Sequence, residues 1–139
     1  MLIQKIPGKM ASTWEEDSKA VLDTWETYDV SLDEFKDAIL NKGINFIQGR
    51  GAVAWIVDST KAKGVFSQEI QDFIGSDIFP AFVNNGIKYF ITIKPEVANL
   101  TSLTVSNYAA KAGPAGMKLV DVKSVADAKM WLRENADKK

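Results

Sequence analysis

The feature that most constrains this chain is the run Ala52-Val53-Ala54-Trp55-Ile56-Val57, six apolar residues in a row between Gly51 and Asp58. It is far short of the roughly 20 residues that a membrane-spanning helix needs. It also lacks the polar gaps at helical spacing that give a surface helix its wet face. An uninterrupted apolar stretch of this length, rich in β-formers, reads as a strand covered on both faces. Such a strand belongs in the middle of a sheet, with other elements layered on it.

The flanking sequence supplies those elements. Residues 10–15 and 20–28 are rich in Thr, Val, Trp and Tyr and are separated by the charged turn Glu16-Asp17-Ser18-Lys19, the composition of a hairpin. Residues 1–9 show no periodicity and contain Pro7 and Gly8, so a loose lead-in is expected before a single domain spanning 10–139. Ser31 with Glu34 forms a capping box that opens a helix over 32–42, with Leu32, Phe35, Ile39 and Leu40 on one face and Gly43 as its stop. Ser67 caps a second helix through Ile70, Phe73 and Ile74, which Pro80 interrupts or restarts and Asn84-Asn85-Gly86 ends. A strand follows over 87–93. Asn99 caps a third helix carrying Leu100, Leu103, Tyr108 and Ala109, closed by Gly113-Pro114. A last strand over 118–122 leads to a terminal helix capped by Ser124 and ending in a charged tail.

Strands alternating with helices imply parallel pairing through crossovers, and the opening hairpin adds an antiparallel edge. The expected fold class is therefore α/β, with a single mixed, mostly parallel sheet, an N-terminal antiparallel hairpin and about four helices. At 139 residues the chain can bury a full core without staples.

Composition narrows the chemistry. With no Cys and no His, there is no thiolate, no imidazole base and none of the usual transition-metal ligands, which leaves only hard-cation sites made from carboxylates. The 17 Lys and Arg against 18 Asp and Glu are spread along the chain, so neither a nucleic-acid surface nor a basic membrane anchor is expected. No apolar stretch is long enough for membrane insertion or for the core of a secretory signal, and the expected location is the cytoplasm. No cofactor loop is visible: Gly49-Arg50-Gly51 precedes a strand, whereas a phosphate loop follows one and opens a helix.

The most informative segment is the loop 58–67, which leaves the carboxyl end of the expected central strand, where open α/β sheets place their sites. Asp58, Ser59 and Thr60 are candidates for interaction or switching there, although such side chains also routinely bond their own turn amides. Ser67 is the fourth candidate, since a phosphate on it would add negative charge at a helix start. Phe73, Phe79, Phe82 and Tyr89 are candidates to line an apolar pocket. Trp55 reads as core. Trp14 and Trp25 on the expected edge hairpin would, if exposed, drive a weak homodimer through residues 10–28.

The element order, the Asp-Ser loop after the apolar strand, the Ser heading the next helix and the stretch from Phe79-Pro80-Ala81 through Asn84-Asn85-Gly86-Ile87-Lys88 together resemble the STAS-domain superfamily, in particular its SpoIIAA-like branch. The resemblance spans about residues 10–135. It implies a mixed sheet with helices and, by position, makes Ser67 the counterpart of the Ser that is phosphorylated in the anti-sigma-factor antagonists. Those antagonists usually present an Asp-Ser-Ser-Gly-Leu-like stretch, where this chain has Phe66-Ser67-Gln68-Glu69-Ile70. A related branch resembles CRAL-TRIO lipid-binding domains, which would imply an apolar ligand.

Three functions follow in order. The first is a non-catalytic protein-interaction or regulatory module using the loop 58–67 and the helix after it, with an unidentified protein partner. The second is a domain that binds a lipid or other apolar small molecule. The third is an enzyme or receiver acting through Asp58, for which Asp121-Val122-Lys123 supplies a Lys after the last strand but no acidic pair follows the first. Without a nucleophile and its base, no enzymatic turnover is expected.

Overall fold

The structure is a computed structural model that describes residues 1–95 and 99–135. The expected charged tail lies outside those residues. Six strands form one sheet in chain order: β1 (Leu2–Ile6), β2 (Met10–Glu15), β3 (Ala20–Trp25), β4 (Ala54–Asp58), β5 (Tyr89–Ile93) and β6 (Lys118–Val122). The first three pair antiparallel, and β3 through β6 pair parallel. This is the expected α/β fold with its mixed, mostly parallel sheet.

The lead-in is not loose. Leu2–Ile6 folds back through the turn at Pro7 and Gly8 and pairs with β2, with a register break between Leu2 and Gln4. Pairing of a strand partner supplied the order that sequence periodicity did not signal. The hairpin is therefore interior in the sheet, and since Phe46 covers Trp14 while Phe35 and Phe66 cover Trp25, the indoles are only 4% and 2% exposed and the expected dimer through residues 10–28 has no indole surface to use.

Four helical units cover the sheet. In the first, the Ser31 side chain accepts from the Glu34 amide while the Glu34 carboxylate accepts from the Ser31 amide, as the capping box requires. From there α1 (Leu32–Lys36) runs without a break through a π-helical stretch (Asp37–Ile44) into α2 (Asn45–Ile47). Gly43 therefore does not stop the helix. It is there for space, since a Cβ at this position would stand 2.9 Å from the Trp55 ring.

The second unit is α3 (Gln68–Phe73), a π-helical turn (Ile74–Ile78) and α4 (Phe79–Asn84). Pro80 falls just after the π-helical turn, at the start of α4, and the helix continues through it to Asn84. The third unit is α5 (Leu100–Ala109) with α6 (Ala112–Ala115), closed at Gly116 (φ 111°) and not at Gly113-Pro114, because only Gly116 takes up the left-handed backbone. The fourth is α7 (Val125–Asn135).

A sequential strand order with crossovers of one hand puts the crossing helices on one face. Accordingly the first three units share one core with Val21, Trp25, Trp55, Val57 and Phe90. On the opposite face, α7 alone packs Ala128 and Leu132 onto Ala20, Ala54, Ile56, Ile91 and Ile93. Lys129 ties α7 to the β2–β3 turn through Glu15 at 2.7 Å and Asp17 at 3.7 Å. β4 is thus buried on both sides, as its composition demanded.

Trp55 is the pivot of the larger core, its ring stacked on Phe82 at 4.2 Å between centroids. Trp55→Ala is expected to lower unfolding free energy by about 3–5 kcal/mol, measured by urea denaturation. Gly43→Val is expected to cost about 1–3 kcal/mol by forcing the ring aside, with the double change losing less than the sum.

Candidate functional site

The loop 58–67 begins where β4 ends and is held from three directions. The Ser59 amide donates to the Ile93 carbonyl at 2.9 Å, which continues the sheet by one residue. Lys63 pairs with the chain beyond β3, its amide donating to the Glu26 carbonyl and its carbonyl accepting from the Tyr28 amide at 2.8 Å. The Thr101 hydroxyl of α5 donates to the Gly64 carbonyl at 2.6 Å. Ala62 and Phe66 are buried beneath, with the Phe66 ring lying flat on Tyr28 at 4.0 Å. The loop is therefore a fixed surface.

The four switch candidates fall in different environments. The Asp58 carboxylate accepts from both the amide and the hydroxyl of Thr60, at 3.0 and 2.8 Å, so it is occupied in stabilising its own turn. Thr60 is exposed. Ser59 is fully buried and bonds the Tyr28 hydroxyl, out of reach of a modifying enzyme. Ser67 is exposed and caps α3 by accepting from the Ile70 amide at 3.2 Å.

The four pocket candidates also separate. Phe79 and Phe82 line a cavity of about 30 Å³ inside the larger core. Phe73 does not line it, sitting edge-on to Phe35 with the Lys36 ammonium 5.0 Å from its ring centre. Tyr89 lies on the other face of the sheet against Trp131. The reason is the two-residue period of a strand, which sends Phe90 into the helix layer and Tyr89 away from it.

The loop 58–67 and the helix α5 tied to it each expose large apolar side chains among polar ones. Leu100 and Leu103, expected to help bury the third helix, are 70% and 60% exposed, because Thr101, Thr104, Val105 and Tyr108 form the packed face instead. Val65 is 44% exposed, and the Thr101–Gly64 hydrogen bond holds it beside the first turn of α5.

A second polar constellation, not singled out from the sequence, lies inside the core. Gln4, Ser12 and Asp23 occupy matching positions on β1, β2 and β3. Gln4 Nε2 donates to Ser12 Oγ at 2.8 Å, Ser12 Oγ donates to Asp23 Oδ1 at 2.6 Å, and Trp55 Nε1 donates to Asp23 Oδ2 at 2.8 Å. Among the described residues no cation pairs with Asp23. Nearby, the Tyr28 hydroxyl bonds both Ser59 and the Tyr108 hydroxyl. Burial pushes the Tyr28 phenol up to about 12 and raises that of Tyr108 well above its ordinary range. Alternation does signal this row: in Met10-x-Ser12-x-Trp14 and Val21-x-Asp23-x-Trp25 the polar residue shares its face with large apolar ones.

Among the described residues no group of three or more Asp, Glu, His or Cys is placed to hold a metal ion, and no helix is long and apolar enough to cross a membrane.

Burial pushes the Asp23 carboxyl up from 3.8 to about 6, against the opposing pull of its bonds from Ser12 and Trp55. The folded protein therefore holds this proton more tightly than the unfolded chain does. The resulting stability is complete below about pH 4 and is lost as the pH rises through 6, a change on the order of 3 kcal/mol. Glu34 runs the other way: the Ser31 amide and Lys9 hold its carboxyl below the usual range, so its contribution is lost only at lower pH. The expected outcome is a urea midpoint that falls between pH 5 and 7 in the wild type and stays level in Asp23→Asn.

Comparison with known proteins found no matching family model, no similar curated protein and no similar solved structure.

Proposed function

We propose that this chain is a non-catalytic protein-interaction module, of the SpoIIAA-like kind within the STAS superfamily, which binds its partner through loop 58–67, the start of α3 and the first turns of α5. The observation that carries this reading is the exposure of Val65 on a loop that hydrogen bonds hold in place, tied by Thr101 to the helix α5 whose Leu100 and Leu103 are exposed as well. Apolar side chains gathered on a rigid surface mark a contact site, because they gain from burial at little ordering cost. Ser67 stands at the same edge of the fold, where a phosphate would change the charge that a partner meets.

An apolar small molecule is the weaker reading. The cavity beside Phe79 and Phe82 has about 30 Å³, whereas ligand pockets run to roughly 300–1,000 Å³. An Asp58-centred reaction is weaker still, since that carboxylate already serves Thr60.

Site-resolved photocrosslinking in native cell extract tests the proposal. With a photoreactive residue at Val65 or Leu103, a discrete protein adduct is expected. At Asn41, exposed on the π-helical stretch of the first unit, none is expected. Adducts of equal yield at all three positions, or at none, would refute the reading. Phosphopeptide mapping of the same samples reports on Ser67.

A further inference from the structure

The row Gln4–Ser12–Asp23 crosses three adjacent strands, and its chemistry allows only certain directions of hydrogen bonding. Gln4 is the one buried side chain of edge strand β1, so it is that strand's anchor in the core. A charged Asp23 has no hydrogen to give. Ser12 must then donate to it, which leaves the Ser12 oxygen free to accept from Gln4 Nε2. The same amide nitrogen also reaches Met10 Sδ at 3.1 Å, while Gln4 Oε1 is buried without a partner.

A neutral Asp23 reverses this. The Trp55 N–H requires Oδ2 as an acceptor, so the acid hydrogen sits on Oδ1 and points at Ser12. Ser12 now accepts, and as long as its second lone pair keeps Gln4 Nε2, its own hydrogen has no acceptor in the row. It gains one if the amide turns over to offer Oε1, which gives up the contact with Met10 Sδ, and in either case the charge-assisted chain is lost.

We propose that this row is a proton-linked clamp on β1, tight when Asp23 is charged and loosened when it is neutral, so that acidification frees the edge strand while the rest of the sheet stays folded. Among the described residues no other charged group faces Asp23. The titratable groups facing Asp23 are Tyr108 from α5 and, farther off, Tyr28, both neutral phenols. The residues that α1, the two π-helical stretches and α4 turn toward it, Phe35, Ile39, Ile74, Ile78, Phe79 and Phe82, are all apolar. The local effect has the opposite sign to the global one, because the buried charge that strengthens the clamp also destabilises the fold. Release of β1 would uncover the backbone edge of β2 for pairing with another strand.

Amide hydrogen exchange on the full chain, corrected for intrinsic rates, tests this. In the wild type the protection of the β1 amides themselves is expected to fall about tenfold between pH 7.5 and 5, while that of the β4 amides, which follow the stability of the whole fold, does not fall. In Asp23→Asn, whose side-chain amide donates to Ser12 as the neutral acid does, β1 protection is expected to be low and constant. Ser12→Ala interrupts the chain while leaving Asp23 able to titrate, so there too β1 protection is expected not to fall on acidification, and this variant decides the matter if Asp23→Asn does not fold. β1 protection that does not fall in the wild type, or that falls equally in Ser12→Ala, would overturn the proposal.

Discussion

The burial of Trp55 is the constraint on which the rest of the structure depends. Its ring stacks on Phe82 from the second helical unit, and its far edge lies so close to the first unit that only glycine fits at position 43. Its N–H must also find an acceptor once water is excluded, and Asp23 on the neighbouring strand supplies one. One side chain thus sets the distance of two helical units from the sheet and calls for an acceptor in the core, which here is a carboxylate. The two π-helical stretches, at Asp37–Ile44 and Ile74–Ile78, lie on those same units and point Ile39, Ile74 and Ile78 into the space around it.

That carboxylate explains why polar residues continue outward across β2 and β1. A buried charge is costly unless its oxygens are bonded, and a hydroxyl that donates to it acquires a free acceptor of its own. Ser12 and then Gln4 meet these needs in turn, so one indole N–H is linked to the edge of the sheet through a continuous line of hydrogen bonds. The line ends at Gln4 Oε1, which has no partner. The polar interior is therefore extended and incomplete, unlike the closed group formed by Tyr28, Ser59 and Tyr108.

The proposed contact surface rests on the same economy of anchoring. Ser59, Ala62 and Phe66 are buried and fix the loop from below, which leaves Thr60, Val65 and Ser67 outward on a backbone that has few ways to move. On α5 the packed face is built from Thr101, Thr104, Val105 and Tyr108, so the two leucines are left to solvent. A helix that buries threonines and exposes leucines has its polarity reversed. Thr101 accounts for part of this, since its hydroxyl is needed at the Gly64 carbonyl.

How much could be read in advance depended on whether the determining interaction was local. The apolar run at 52–57 was sufficient for a doubly covered central strand, and the caps at Ser31, Ser67 and Asn99 for helix starts, because each involves atoms within a few residues of one another. The alternation of strands and helices likewise carried the fold class. Other features needed distant partners. Leu2–Ile6 became a strand only because β2 was beside it, Gly43 lies inside its helix where a side chain would meet Trp55, and Tyr89 left the expected pocket group because β5 turned its other face to the core. For the site, the sequence by itself determined that loop 58–67 would stand at the carboxyl end of the central strand and that Ser67 would cap a helix. Only the tertiary structure decided that Ser59 is sealed inside, that Leu100 and Leu103 are outside, and that Gln4, Ser12, Asp23 and Trp55 are joined, because burial and hydrogen-bond partners are properties of what the chain brings together from far apart.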